Sequence, residues 1–102
     1  MIRVIRARFR LSEYEYSLHA LDQSIKRGIS TIEVEQAIAS GEIIEEYPSD
    51  KYGPSCLIFG LTTEGRPLHI QCTTSERPLI KVITLYQPDP REWIDWRKRR
   101  TQ

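Results

Sequence analysis

The spacing of the apolar residues changes once along this chain, at Gly41, and that change limits the folds open to it more than any other feature. Before Gly41, aliphatic residues recur every three or four positions, as on one face of a helix. After it they come in short alternating runs, as on a strand with one face buried. The segment "YEYSLHALDQSIKRG" reads as a helix capped by Ser17 and stopped by Gly28, with Leu18, Leu21 and Ile25 as its inward stripe. A second helix follows at once. Ser30 and Glu33 have capping-box spacing, Ile29 and Val34 that of a hydrophobic staple, and Gly41 ends it. Residues 2–11 fit two patterns. Ile2, Ile5 and Phe9 lie at helical spacing, while Ile5, Ala7, Phe9 and Leu11 also alternate with arginines. The helix is the reading adopted.

Past Gly41, "EIIEEY" reads as a strand stopped by Pro48. "SCLIFGLTT" and "RPLHIQCTT" read as a hairpin turning at Glu64-Gly65, and "LIKVITLY" as a central strand. "QPDPREWIDWRKRR" has the marks of a closing helix: Asp89 at the cap, Pro90 at the first position and Glu92 three after the cap. Helices first, then strands, then a helix imply an α+β domain over residues 1–102, with helices on one face of an antiparallel sheet of about four strands. The other face is then solvated or holds a ligand.

A four-residue loop, 75–78, would set His69 opposite Thr84, Gln71 opposite Val82 and Tyr86 opposite Pro67. That gathers an imidazole, an amide, a hydroxyl and a phenol on the face away from the helices. Leu68, Ile70, Cys72, Leu79, Ile83 and Leu85 would face the helices, with Lys81 on that side reaching outward. His69 and Tyr86 read either as an acid–base pair or as a strand histidine and an edge aromatic with no task. His19 starts the first capped helix and Arg27 ends it. Arg66 and Arg77 bracket a strand at its two ends, where they suit either phosphate contacts or ordinary turns. Trp93 and Trp96 read first as core anchors. There is no phosphate-cradling glycine loop, serine elbow or metal-ligand spacing, which argues against a cofactor. Cys56 and Cys72 would meet across the hairpin as two small buried thiols.

The formal net charge is +1, unevenly spread: residues 1–11 hold four arginines and no acid. No apolar run approaches a membrane span and no signal-peptide block opens the chain, so a cytoplasmic protein without a membrane is expected.

Three stretches, "YEYSLHALDQSIKRGIS", "GEIIEEYPSDKYGPSCLIFGLTTEGRPLHIQC" and "PLIKVITLYQPDPREW", together resemble a family of small bacterial and archaeal domains of unknown function. That family looks related to the RelE-like and BrnT-like toxins of type II toxin–antitoxin modules. The resemblance implies helices on one face of a curved antiparallel sheet. It also implies a metal-independent endoribonuclease acting on mRNA, in some cases on the ribosome. The implied partner is an antitoxin with a zinc finger and a helix-turn-helix, the zinc belonging to that partner, and a homodimer is a further arrangement open to the chain. His69, Tyr86 and His19 would then be the catalytic candidates. Arg27, Arg66, Arg77, Lys81, Gln71 and Thr84 would contact substrate. A non-catalytic interaction domain of the same fold, binding a protein or RNA, is the competing reading.

Overall fold

The computed structural model describes residues 1–74 and 77–101. It has helices α1 (Ile2–Arg10), α2 (Leu18–Lys26) and α3 (Thr31–Ala39), and a sheet of β1 (Tyr14–Tyr16), β2 (Glu42–Tyr47), β3 (Ser55–Leu61), β4 (Pro67–Thr73) and β5 (Ile80–Tyr86). The strand order is β1-β5-β4-β3-β2. β1 runs parallel to β5 and every other pair is antiparallel. The fold is α+β, but the sheet is mixed and has five strands, where about four antiparallel ones were expected. The extra strand, β1, is three residues long, too short for an alternation to show. Long-range bonds hold it: the Ile80 N–H donates to the Glu13 carbonyl (3.0 Å) and the Ser17 N–H to that of Val82 (2.9 Å).

Local chemistry explains the helices. In α1, Ile5 and Phe9 are buried and Ile2 packs beside them, so the helical reading holds. Ser17 caps α2 by accepting from the Ala20 N–H (3.0 Å), and Gly28 leaves the helix at φ +62. Ser30 and Glu33 form the full capping box of α3. The helices cover one face of the sheet, where Val34, Ala37 and Ile38 meet Ile58, Leu68 and Ile70, all without exposed surface. Burying one such aliphatic side chain stabilises the fold by roughly 1.5–3 kcal/mol. Gly60 is where α3 comes closest: a Cβ there would stand 1.9 Å from the Ala37 carbonyl oxygen.

Three expectations fail, each for a visible reason. First, the inward face of α2 is Ala20 and Ser24, while Leu18, Leu21 and Ile25 are exposed. Small residues let the helix sit close on β5 and turn its larger side chains outward. Second, β5 contains a bulge. Gln71 pairs with Thr84 but Cys72 pairs with Val82, leaving Ile83 over. Val82 opposite Cys72 is already one residue beyond the expected Lys81 and the bulge adds a second, so His69 lies opposite Tyr86 rather than Thr84. Ile80 and Val82 join Leu85 in the core, and Leu79 and Ile83 do not. Lys81 points to the side away from the core, 5.8 Å from the centre of the Tyr52 ring. Third, the closing helix is absent. Asp89 does organise a single turn, but β6 (Trp93–Ile94) and β7 (Lys98–Arg99) then form a separate hairpin. Asp95 and Trp96 take φ of +53 and +62, and the Arg97 N–H donates to the Ile94 carbonyl (3.0 Å), a tight turn whose twist suits antiparallel strands.

Candidate active site

β3 is buried on both faces. Cys56 and Ile58 join the core beneath the helices, and Leu57 and Phe59 lie on the opposite side. There His69 stands directly across from Phe59 on one neighbour and from Tyr86 on the other. The β6–β7 hairpin covers this face. Trp93 meets the His69 ring edge-on with centroids 4.4 Å apart. Arg97 stacks over Phe59 and pairs with Glu42 (2.7 Å), and Arg99 stacks over Trp93 and pairs with Glu45 (2.8 Å). His69 is left with no exposed surface.

The hydrogen bonds of His69 fix its tautomer. Nε2 lies 2.6 Å from the Trp96 carbonyl oxygen, which can only accept, so Nε2 carries the proton. Nδ1 of the neutral ring is then an acceptor, and the Tyr86 hydroxyl, 3.2 Å away, donates to it. Burial lowers the His69 pKa, against the pull of the Trp96 carbonyl and the Glu45 charge, which favours the neutral ring. Burial raises that of Tyr86; Glu45 and Glu92 add to the rise, and Arg99 and Arg27 oppose it.

Tyr86 is half-buried and forms one wall of an open hollow of about 610 Å³, lined also by Arg27, Arg66, Gln87, Asp89 and Glu92. Arg27, at the end of α2, donates to the Leu85 carbonyl (2.9 Å) and sits 6.0 Å from the centre of the Tyr86 ring. Arg66 is a strut. Its guanidinium donates to Gln87 Oε1 (3.0 Å), to the carbonyls of Gly28 (2.9 Å) and Arg27 (3.1 Å), and to Glu33 (3.1 Å). Arg27 is thus the guanidinium with more of its donors free to meet a ligand.

The hollow unites Arg27, Arg66 and Tyr86, with His69 behind the phenol. The other sequence candidates lie elsewhere. His19 is exposed on α2 and does not line the hollow. Arg77 donates to the Tyr52 carbonyl (3.3 Å) at the far end of β4, and Lys81 pairs with Glu15 (3.6 Å). Gln71 donates to Ser55 (3.1 Å), lies opposite Thr84 and lines a second hollow with Tyr47, Asp50 and Arg99. Burial and the neighbouring Glu45 carboxylate push the Tyr47 phenol up to about 12. Sequence reasoning missed Gln87, Asp89 and Glu92. It assigned this stretch to a closing helix, so nothing marked its side chains as pocket-lining. Cys56 does face Cys72, with both thiols reduced and fully buried. Among the described residues no three His, Cys, Asp or Glu side chains are grouped to hold a metal ion, and no helix is long and apolar enough to cross a membrane.

Residues 16–87 match a family described as a domain of unknown function, DUF4258, which is more than half of the chain. The chain belongs to the DUF4258 family. The DUF4258 match runs from β1 to just past β5, so it takes in Arg27, Arg66, His69, Tyr86 and Gln87. The hairpin that covers His69, and Glu92, lie beyond it. No curated protein and no solved structure matches the chain.

Proposed function

We propose that this DUF4258 domain is the toxin of a type II toxin–antitoxin module, an endoribonuclease that cuts mRNA by acid–base catalysis without a metal ion. The observation that carries the reading is Tyr86 on the wall of an open hollow, its hydroxyl hydrogen-bonded to a buried His69 whose Nδ1 can take a proton (3.2 Å). RNA as the substrate comes from the resemblance to RelE-like toxins. The RelE-like reading of the fold belongs to the same proposal, supported by helices on one face of the sheet and the acid–base pair on the other.

The chemistry follows from the pair. A ribose 2′-hydroxyl gives its proton to the Tyr86 oxygen as Tyr86 passes its own to His69 Nδ1. The 2′-oxygen bonds to phosphorus and the bond to the 5′-oxygen breaks. Water protonates the leaving oxygen, the hydroxide so formed takes the proton back from His69 through Tyr86, and the products are a 2′,3′-cyclic phosphate and a 5′-hydroxyl. Glu45, whose charge acts on His69, steadies the imidazolium. Arg27 faces the charge that develops on the phosphoryl oxygens. A neutral histidine is the form this role requires, and burial favours it.

A non-catalytic interaction domain is the second reading, favoured by the apolar residues that α2 turns to solvent: Leu18 is 87% exposed and Ile25 73%. The same stripe is where an antitoxin would sit under the first reading. Purified protein incubated with end-labelled mRNA and chelator separates the two. Chelator-insensitive cuts with cyclic-phosphate ends support the enzyme, and Tyr86→Phe should then slow cleavage by about 10²–10⁴-fold. Cuts as fast in Y86F as in the parent refute the role of Tyr86. No cuts, with binding to a partner that Leu18→Asp abolishes, supports the interaction domain.

A further inference from the structure

Two side chains in the hollow have no part in that proton transfer, and their chemistry is complementary to one nucleobase. Gln87 accepts a hydrogen bond through Oε1 from Arg66 Nε (3.0 Å). An arginine can only donate, so this bond fixes the amide, and its NH₂ is the end left to meet a ligand. Glu92 supplies two acceptor oxygens. Its backbone is held on both sides, the N–H by the Asp89 carbonyl (2.9 Å) and the carbonyl by the Arg100 N–H (2.9 Å). Its carboxylate makes no hydrogen bond or ion pair among the described residues, whereas the other carboxylate lining the hollow, Asp89, is held by Arg91 (2.8 Å). Arg27 completes the set with a cation near the Tyr86 ring.

One donor and a pair of acceptors lining the same hollow match the Watson–Crick edge of guanine, which presents an acceptor (O6) and then two donors (N1–H and N2–H₂). Adenine offers one donor beside an acceptor, cytosine one donor beside two acceptors, and uracil a single donor between two acceptors. None of these three satisfies both carboxylate oxygens of Glu92. We propose that the hollow is a guanine-reading nucleotide subsite, with Gln87 and Glu92 on the base edge and Arg27 on the phosphate. The inference rests on the reading of this hollow as an RNA site and adds the base it selects. The volume, about 610 Å³, falls within the range of small-molecule sites.

Titrating the full chain with 3′-GMP, 3′-IMP, 3′-AMP, 3′-CMP and 3′-UMP by calorimetry tests it. A good bidentate contact discriminates by about tenfold to a hundredfold, so 3′-GMP should bind that much more tightly than AMP, CMP and UMP. Inosine lacks the N2 amine and should fall between. Glu92→Gln should erase the preference while leaving the backbone amide spectrum unchanged, and Arg27→Ala should weaken all five alike. Equal affinity for every base, or an unchanged preference in E92Q, overturns the guanine reading and leaves the ribonuclease reading standing if RNA is still cut. Guanine preference without RNA cleavage does the reverse. No binding of any nucleotide overturns the subsite altogether.

Discussion

A histidine without exposed surface loses the hydration that would stabilise its charge, and the folded protein therefore holds His69 below its ordinary pKa. Between that lowered value and the unfolded value near 6.5, the unfolded chain binds more protons than the folded one. The contribution of His69 to stability is complete above about pH 6.5 and is lost as pH falls through the folded-state value. The urea midpoint should thus drop between pH 7 and pH 5, and drop less in His69→Gln; equal slopes would show that His69 does not titrate in this window. The same deprotonation should govern cleavage, whose rate rises from acid to a plateau near neutrality. The His69–Tyr86 pairing was half-visible in the sequence. Alternation placed both on the face away from the helices, but the opposing residue was wrong by two, a shift that preserves the face. Arg27 was visible because a cation before a glycine marks a helix end. Glu92 was not, since the sequence pattern gave it a capping place in a closing helix that does not form.

Capping chemistry is local, and the starts of α2 and α3 were legible from Ser17, Ser30 and Glu33 alone. Which side of α2 would face the sheet was not. Periodicity identifies a stripe but not its partner, and here contact distance decided in favour of Ala20 and Ser24. Replacing Leu18 and Ile25 by Gln should therefore change stability by no more than about 0.5 kcal/mol each, as for ordinary surface sites. A loss of several times that in denaturant titrations would mean that the stripe is covered. The reverse holds at Gly60, where an added methyl meets the α3 backbone. Gly60→Ala should destabilise by about 1–3 kcal/mol, measured the same way. The β5 bulge had no compositional mark, because Ile83 is as good a strand residue as its neighbours.

The assembled molecule has two layers of burial rather than one. The helices cover one face of the sheet, and the small β6–β7 hairpin closes the other over Phe59 and His69. Trp93 is the centre of that second layer, 3% exposed. Trp93→Ala should cost about 3–5 kcal/mol in unfolding measurements and open His69 to solvent, shown by faster exchange of its ring Nε2 proton. If the tryptophan is dispensable and the exchange unchanged, the hairpin does not close the face. The bulge at Ile83 ties both layers together. Val82 and Tyr86 are an even number of positions apart, yet one points into oil and the other toward the hollow. Smoothing the bulge at the same chain length would restore a regular pleat, in which residues four apart share a face, and leave no choice that keeps both in place. Either the phenol would be swallowed by the interior or a valine would be pushed into water, so the irregularity in this short span is held from two directions at once.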